Sequence, residues 1–364
     1  MIDSASNRAD IDLTSLAASI KAWGRDAGFQ AVGIADVDLH DAEAGLIAWL
    51  AAGCHGTMDY MERHGTCRSR PAELVPGAIR VISARMDYLP EALPAQAVLA
   101  DGERAFIARY ALGRDYHKVL RQRLQRLATQ IEREIGPYGY RVFTDSAPVM
   151  EVELAKNAGI GWRGKHTLLL SREAGSYFFL GEIYVDLPLP LDAPVSEHCG
   201  TCTKCIEACP TGAITAPYRL DARRCIAYLT IELKESIPIE LRPLIGNRVY
   251  GCDDCQIVCP WNSFARVSTE PDFKVRHGLD AATLVELFAW TDAEFEARMA
   301  GSAIYRIGYE RWLRNLAVGL GNAPVNDAVR QALRARVDDP SPLVREHVAW
   351  ALSRHADTMV KSPE

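Results

Sequence analysis

The feature of this sequence that most restricts its fold is a concentration of cysteines. The chain has 364 residues and ten cysteines, and eight of the ten lie between Cys199 and Cys259. In a reducing compartment such a concentration is more typical of metal binding than of disulfide bonds. The fold must therefore gather these thiols around inorganic centres, whereas Cys54 and Cys67, which lie outside the segment, are expected to be ordinary reduced thiols.

The spacing of the eight cysteines indicates which centres they hold. A first group has the pattern C-x2-C-x2-C-x3-C-P, which is typical of bacterial ferredoxins with two 4Fe–4S clusters. A second group has only three cysteines before Pro260, and Cys225 is the obvious source of the missing thiolate. In ferredoxins the fourth cysteine of the motif binds the other cluster, so two interleaved ligand sets are predicted. These sets are Cys199, Cys202, Cys205 and Cys259 for one cluster, and Cys209, Cys225, Cys252 and Cys255 for the other.

Two alternatives to redox-active clusters remain open. The eight thiolates would also satisfy two structural zinc sites, although zinc usually takes its cysteines as separated C-x2-C pairs and the triple motif favours a cubane. The second alternative is that the clusters have a purely structural role. Two clusters with interleaved ligands lie within electron-transfer distance of each other, which favours a redox role.

The overall composition is that of an ordinary globular protein. With 48% hydrophobic and 24% charged residues, the chain is able to bury a sizeable core and is long enough for two or three domains. The net charge of −6 argues against general attraction to nucleic acid but leaves room for local basic patches. Neither an export signal nor an apolar run near the ~20 residues of a membrane span is recognisable, so a cytoplasmic protein without membrane association is expected.

The chain divides into three predicted regions. Residues 1–190 mix helical and strand patterns, which indicates an α/β or α+β domain. The predicted helices are "LTSLAASIKAWGRDAGF" and "DYHKVLRQRLQRLATQIEREI", and the predicted strands are "AVGIADV", "VISARMDYL" and "SYFFLGEIYV". Residues 191–265 contain the cysteines. Residues 266–364 have mostly helical patterns. There, "RNLAVGLGN" from Arg314 and "REHVAWALSR" from Arg345 align with a 31-residue offset, which suggests a degenerate HEAT-like pair. A generic helical bundle is the alternative.

Several longer stretches resemble one family. They are "ARYALGRDYHKVL" (108–120), "DSAPVMEVELAKNAGIGWRGKHTLLL" (145–170), "GSYFFLGEI" (175–183), "PYRLDARRCIAYLTIE" (217–232) and "GCDDCQIVCPWN" (251–262). Together they resemble the epoxyqueuosine reductases, and the resemblance spans nearly the whole chain.

The resemblance implies a cobalamin-dependent oxidoreductase that reduces epoxyqueuosine to queuosine at the wobble position of tRNA, the last step of queuosine biosynthesis. It also implies an α+β fold with three parts: a cobalamin-binding α/β domain like that of reductive dehalogenases, a two-cluster ferredoxin module and a C-terminal HEAT-like repeat. An external electron donor, a tRNA partner and a monomeric state are expected. The rival functions are a soluble reductive dehalogenase and a non-enzymatic electron carrier or RNA-binding scaffold.

The resemblance places the catalytic acid at Asp145, in "FTDSAPVME". Removing the epoxide oxygen as water consumes two electrons and two protons, and a carboxylic acid kept protonated by burial would supply a proton. The pattern alone instead favours Asp145 as a helix N-cap. Glu151 and Glu153 are expected to face solvent or the helix dipole.

Further residues are expected, by the same resemblance, to contact the cofactor. Leu169 and Leu180 would equally serve plain core packing, and Arg68 would equally be a surface arginine. His117 does not belong to a D-x-H-x-x-G pattern, so it is not predicted to bind cobalt and is expected to orient backbone or contact RNA. The predicted cofactor contacts are Arg68, Ala108, Asp145, Lys165, His166, Thr167, Leu169 and Leu180.

Two basic segments are the predicted RNA-binding surfaces. Residues 109–126 carry six cations against one acid, and "IYRIGYERWLR" (304–314) interleaves cations with aromatic residues. Such patterns suit phosphate contacts and stacking on an unpaired base, although a solvated helix face is the plain alternative. The predicted RNA contacts are Arg109, Arg114, Lys118, Arg306, Arg311 and Arg314.

Overall fold

The computed structural model describes residues 11–357. The strands are β1 Ala31–Ala35, β2 Arg80–Asp87, β3 Phe106–Ile107, β4 Tyr140–Phe143, β5 Trp162–Arg163, β6 Leu169–Leu170, β7 Phe178–Val185, β8 Ile214–Ala216, β9 Arg219–Leu220 and β10 Arg248–Tyr250. The helices are α1 Leu13–Asp26, α2 His40–Ala51, α3 Pro71–Leu74, α4 Ala95–Ala100, α5 Tyr116–Ile135, α6 Glu151–Asn157, α7 Lys204–Glu207, α8 Arg242–Ile245, α9 Asp254–Ile257, α10 Leu284–Phe288, α11 Asp292–Met299, α12 Gly308–Asn322, α13 Asp327–Arg334 and α14 Pro342–Asp357.

The main sheet has the order β1-β2-β7-β4, and every neighbouring pair is antiparallel. All eight residues of β7 are buried, because helices cover both faces of this central strand. Phe179, Ile183 and Val185 pack in a core with α1 and α5. The alternate residues of β7 point to the opposite face, where Leu180 and Tyr184 pack near α6.

The predicted elements of the N-terminal region are confirmed. The helix α1 begins where Asp12 accepts hydrogen bonds from the backbone N–H groups of Thr14 and Ser15, and it buries Leu16 and Ile20 against the sheet. The long amphipathic helix α5 begins after Asp115, whose side chain accepts from the N–H of His117, and its C-cap is Gly136, which has a φ of 79°.

The three predicted regions share buried cores. The short strand β3 pairs in parallel with β10, so residues near Ile107 join a large core made mostly of the C-terminal helices. The α+β class and the helical C-terminal region are confirmed, whereas the boundaries near 190 and 265 stay predictions. The helices α12 and α14 pack together, but Arg314 is fully buried and the aligned Arg345 is exposed, so the HEAT-like repeat also stays a prediction.

In the part of the chain that the structure describes, none of the helices is long and apolar enough to cross a membrane.

Candidate functional site

A cavity of about 390 Å³ lies between the main sheet and the cysteine-rich segment. Its volume is within the range of small-molecule binding sites. One side carries Asp145, Glu151 and the apolar residues of β6 and β7, and the other side carries the four cysteines of the second predicted cluster. The cavity therefore connects the predicted acid to the predicted electron source. Its lining includes Tyr88, Tyr110, Tyr116, Asp145, Glu151, His166, Thr167, Leu168, Leu169, Phe178, Leu180, Cys209, Cys225, Ile226, Ile231, Cys252 and Cys255.

Asp145 lies in the loop between β4 and α6, and its side chain keeps 46% of its surface accessible within the cavity. The hydroxyl of Tyr116 donates a hydrogen bond to Asp145 Oδ2, and His117 Nε2 lies 3.3 Å from the same oxygen. The backbone of Asp145 has a φ of 52°, in the left-handed region that few residues other than glycine adopt. Asp145 does not cap α6, because Met150 occupies the N-cap position, so the helix-capping alternative is wrong.

The neighbours of Asp145 make it a carboxylate in this structure. Burial acts to raise its pKa, but the hydrogen bonds from His117 and Tyr116 outweigh burial, and the pKa of Asp145 lies below its usual value. Burial acts to lower the pKa of His117, but Asp115 Oδ1, 2.8 Å from His117 Nδ1, and Asp145 together raise it to about 9. At neutral pH the transferable proton is therefore on His117, in contrast to the expectation that burial keeps Asp145 protonated.

The pKa values of two glutamates near Asp145 are shifted in the opposite direction. Glu151 lines the cavity, and burial together with the charges of Asp145 and Glu182 raises its pKa well above the usual value. Glu182 is fully buried, and burial with the charge of Asp145 raises its pKa to about 8. Glu151 and Glu153 both lie in the first turn of α6, which agrees with the helix-dipole expectation. The solvent alternative is wrong for Glu153, which is buried and accepts hydrogen bonds from Arg163 and Lys156.

Most cysteines that act electrostatically on one another belong to the same predicted set. Burial raises the pKa of Cys205, and the thiolates of Cys259, Cys199 and Cys202 raise it further. Burial likewise raises the pKa of Cys255, to which Cys225, Cys209 and, across the two sets, Cys205 contribute. Within residues 11–357 no group of three or more His, Cys, Asp or Glu side chains is arranged to hold a single metal ion.

The loop from His166 to Leu169 suits a large planar cofactor such as cobalamin. His166 lines the cavity with its Nε2 unpartnered, and burial lowers the pKa of His166 to about 4, so the ring is neutral. The next residue, Thr167, has a φ of 74°, which is strained for a β-branched residue. Leu169 and Leu180 are buried in a core cluster and also line the cavity, so their positions agree with core packing and with the predicted cofactor contact. An apolar wall with unpaired polar atoms is the composition expected of such a binding site.

Three predicted cofactor contacts lie outside the cavity lining. Lys165 Nζ donates to the carbonyls of Gly200 and Cys202, at 2.6 and 3.0 Å, so it supports the first cysteine loop. Ala108 is buried against Gly251, whose lack of a Cβ allows the close contact. For these two residues cofactor contact stays a prediction. Arg68 is buried, so the surface-arginine alternative is wrong; its Nη2 donates to the carbonyl of Tyr60 and its Nε has no partner.

The predicted RNA contacts separate into buried and exposed residues. Arg314 is fully buried and donates to the carbonyls of Leu229, Leu233 and Glu235. Arg109 is buried and donates to the carbonyl of Leu93. The prediction of RNA contact is wrong for both, because a guanidinium enclosed by carbonyl groups inside the protein does not reach a phosphate.

The other four cations keep accessible surface. Arg114 pairs with Asp272, Arg306 pairs with Glu232, and the side chains of both arginines are about half exposed. Lys118 is exposed on the first turn of α5. Arg311 is partly buried, and its guanidinium donates to backbone carbonyls, including that of Ile231. The charge of Arg306 also acts on Asp145, which places this cation beside the cavity.

Sequence patterns did not identify four residues that complete the site: Tyr116, His117, Glu151 and Glu182. Tyr116 and His117 stand next to each other in "GRDYHKVL", and an adjacent pair of hydrogen-bonding rings at a helix start was the available signal. The ring of Tyr116 stacks on Phe179 at 4.1 Å, which fixes its hydroxyl toward Asp145. For Glu182, the signal was a single acid inside the apolar strand "FFLGEIYV".

Comparison with protein families identifies two parts of the chain. A family described as "Epoxyqueuosine reductase QueG, DUF1730" matches residues 68–146, which include Asp145. A family described as "4Fe-4S double cluster binding domain" matches residues 198–262, which contain all eight clustered cysteines. The prediction of two 4Fe–4S clusters is thereby confirmed, and the zinc alternative is set aside.

Related proteins match along nearly the whole chain. The epoxyqueuosine reductase of Burkholderia pseudomallei strain K96243 is 64% identical over an alignment of 380 positions, which covers 94% of this chain and 93% of the relative. A crystal structure of epoxyqueuosine reductase with an epoxyqueuosine-modified tRNA-Tyr stem loop aligns with a TM-score of 0.84 and 26% identity, over 97% of this chain and 96% of that chain. The Bacillus subtilis enzyme, with its catalytic aspartate loop swung out of the active site, aligns with a TM-score of 0.84 and 27% identity over the same shares.

Proposed function

This chain belongs to the epoxyqueuosine reductase family, and we propose that it reduces epoxyqueuosine to queuosine in tRNA, with Asp145 as proton donor to the epoxide oxygen. The observation that supports this most directly is that Asp145 and the four cysteines of the second predicted cluster line one cavity. Electrons and protons would therefore reach the same small volume, and a reductive epoxide opening requires both.

The residues that line this cavity would hold cobalamin, and the eight cysteines would hold two 4Fe–4S clusters beside it. When bound, the clusters would supply single electrons and cobalamin would supply a low-valent cobalt that makes an epoxide carbon reducible. His166 offers an unpaired ring nitrogen at the cavity wall, and Arg68 offers a further unpaired donor. The eight cysteines hold the clusters in the two predicted sets. The proposed cofactor contacts are Arg68, Ala108, Asp145, Lys165, His166, Thr167, Leu169 and Leu180.

The proton moves through the hydrogen bonds around Asp145. When a C–O bond of the epoxide breaks, the oxygen becomes an alkoxide that is far more basic than a carboxylate. Asp145, which is ionised at rest, takes the proton of His117, whose Nε2 faces the carboxylate, and passes it to that oxygen. Asp115 holds the other ring nitrogen of His117 and stabilises its protonated form. Tyr116 fixes the carboxylate in position through its hydrogen bond.

The tRNA lies over the mouth of the cavity. Arg306 acts electrostatically on Asp145, and Arg114 and Lys118 lie at the start of α5, next to His117. Arg311 contributes through the positive charge that it adds beside Arg306. One related structure holds an epoxyqueuosine-modified stem loop, and these cations would meet the phosphates on either side of such a base.

The working context follows from the family and the composition. The protein acts as a cytoplasmic monomer, and an external donor reduces the first cluster. The C-terminal helices form the HEAT-like support for the RNA, and the α/β domain shares its architecture with reductive dehalogenases.

Anaerobic turnover tests the reaction. Protein with reconstituted clusters, cobalamin and a strong reductant is incubated with epoxyqueuosine-containing tRNA, and the digested nucleosides are weighed by mass spectrometry. Loss of one oxygen mass that depends on cobalamin is the expected result. A protein that retains both cofactors and converts no tRNA would contradict the proposal, and halide release from a haloarene by the same protein would favour a dehalogenase.

A further inference from the structure

The reaction needs more protons than the Asp145 pair holds. Conversion of an epoxide to an alkene breaks two C–O bonds, forms a C=C bond, and consumes two electrons and two protons as the oxygen leaves as water. Asp145 and His117 share one transferable proton, because Asp145 is ionised and His117 carries the proton. If the proposed function holds, a second acid must therefore serve the same oxygen.

Glu182 is a buried acid that the structure leaves without hydrogen-bond partners. It lies in the middle of β7, opposite Ser83 of β2 and Phe143 of β4, and none of its surface is exposed. Neither Oε1 nor Oε2 has a partner, and the hydroxyl of Ser83 also has none. A buried carboxyl with two unpaired oxygens is costly to keep, so its retention calls for a function.

Glu182 faces the helix that carries the cavity glutamate. It lies between Leu180 and Tyr184 on one face of β7, because alternate residues of a strand share a face. The opposing face of α6 presents Leu154 and Ala155, which pack with Tyr184 and Leu180 respectively. Glu151 is three and four residues before these two, so it lies on the same helix face, one turn nearer the cavity.

The charges of these carboxyl groups act on one another. The pKa of Glu151 is raised first by burial and then by the charges of Asp145 and Glu182. The pKa of Glu182 is raised to about 8 by burial and by the charge of Asp145. Glu182 is therefore a neutral acid at pH 7, and Glu151 is shifted in the same direction, toward its neutral form. The other titratable groups facing this region are Tyr116 and His117 on α5, Tyr184 on β7, and Arg68.

We propose that Glu182 is a proton reservoir that, acting through Glu151, supplies the second proton of each turnover. Glu151, which lines the cavity, donates to the epoxide oxygen after Asp145 has delivered the first proton, and water leaves. Water held by the unpaired oxygens of Glu182 and Ser83 then carries the proton of Glu182 to Glu151, and solvent that enters the cavity, which Glu151 lines, recharges the pair between turnovers. The two electrons come from the external donor through the cofactors, so protons and electrons balance.

The substitution Glu182→Gln tests this role. Glutamine keeps the size and neutrality of the protonated side chain but has no acidic proton. In anaerobic single turnover at neutral pH, the variant with full cluster and cobalamin content should convert tRNA about tenfold more slowly or worse. Glu153→Gln is the matched control. It makes the same change from glutamate to glutamine, but at a residue of α6 that pairs with Arg163 and Lys156. Its rate should equal that of the wild type.

Two readouts separate a proton reservoir from a structural residue. The wild-type single-turnover rate should fall as pH rises through about 8, because Glu182 then loses its proton, and Glu182→Gln should lack this fall. His117, Tyr116, Tyr184 and Arg68 are common to both proteins, so the difference between the two profiles isolates Glu182. Independently of activity, the cofactor-free wild type should show the infrared carbonyl band of a protonated carboxylic acid at pH 7, and the variant should lose one such band.

The outcomes distinguish this inference from the function on which it rests. If the wild type converts tRNA and Glu182→Gln matches its rate and pH profile, the reservoir role is wrong and the reductase function stands. If the wild type converts nothing, the function fails first. Should Glu182→Gln not fold, Glu151→Gln provides the same rate test, and a wild-type spectrum without the protonated band would overturn the inference directly.

Discussion

Asp145 and Glu182 are carboxyl groups of one site in opposite protonation states. Asp145 has accessible surface in the cavity and hydrogen bonds from Tyr116 and His117, and its pKa is lowered despite burial. Glu182 has no partner, and burial raises its pKa to about 8. The difference teaches that burial alone does not set a carboxyl pKa, since partners that favour the charged form are able to outweigh it.

This division suits a reaction that uses two protons at one oxygen. A hydrogen-bonded carboxylate next to a protonated histidine is quickly recharged, whereas a neutral acid in an apolar layer stores its proton until it is needed. Asp145 and Glu182 would no longer differ in protonation state if the surroundings of one were changed to resemble those of the other. The substitutions below test this difference.

The largest effect is expected from removing the acid of Asp145. Asp145→Asn keeps the shape and the contact with Tyr116 but carries no transferable proton, so turnover should fall by about 10²- to 10⁴-fold. Cluster and cobalamin content, measured by absorbance and metal analysis, should be unchanged. Wild-type turnover by Asp145→Asn would remove Asp145 from the chemistry.

Removing the histidine should make Asp145 resemble Glu182. His117→Gln takes away a hydrogen bond and a positive charge, so the pKa of Asp145 should rise and recharging should slow, with turnover reduced by about a hundredfold. In the wild type, the rate should also fall as pH rises through about 9, where His117 loses its proton. If the rate of His117→Gln still falls as pH rises through about 9, another group is responsible for the fall.

The raised pKa of Glu182 should make the free energy of unfolding depend on pH. Its folded-state pKa of about 8 exceeds the ordinary value of 4.5, so between these pH values the folded protein holds one more proton than the unfolded chain. The free energy of unfolding should therefore fall as pH rises, by about 2 kcal/mol between pH 6 and pH 7.5 relative to Glu182→Gln. Urea unfolding at both pH values measures it, and parallel pH dependences of the two proteins would contradict it.

The smallest effect is expected outside the cavity. Lys118 is exposed beside His117, so Lys118→Gln should weaken tRNA binding about two- to fivefold and reduce its salt dependence, without changing single-turnover chemistry at saturating tRNA. Arg133→Gln, which removes an exposed cation at the opposite end of the same helix α5, is the control. A rate effect of Lys118→Gln at saturation would mean that surface charge enters the carboxyl chemistry.

Local patterns predicted much of this protein. The spacing of the cysteines alone indicated two clusters, because thiolates that share a cluster are mostly close in sequence. The periodicity of α1, α5 and β7 predicted those elements, because each buries one face or both faces of a regular backbone. The likeness of segments such as 145–170 to one family identified the acid loop.

Predictions failed where an environment is assembled from distant segments. Arg109 and Arg314 belong to basic patterns that suggest a surface, yet both are buried on backbone carbonyls from other parts of the chain. Glu153 lies in the first turn of α6, as the helix-dipole expectation has it, but it does not face solvent and is buried in an ion pair with Arg163. Charge and residue type are properties of the sequence, whereas the partner that a side chain meets depends on packing.

The sequence by itself determined the two 4Fe–4S clusters and the main secondary structure, since these depend on residue type, spacing and local periodicity, whereas cobalamin and the catalytic loop were predicted only from the resemblance to one family. Only the tertiary structure decided which carboxyl is charged and which is neutral. The proton on His117, the carboxylate of Asp145 and the unpaired acid of Glu182 result from contacts among α5, the β4–α6 loop, α6 and β7. Hydrogen bonding and desolvation act over a few ångströms in space, and a linear sequence does not record those distances.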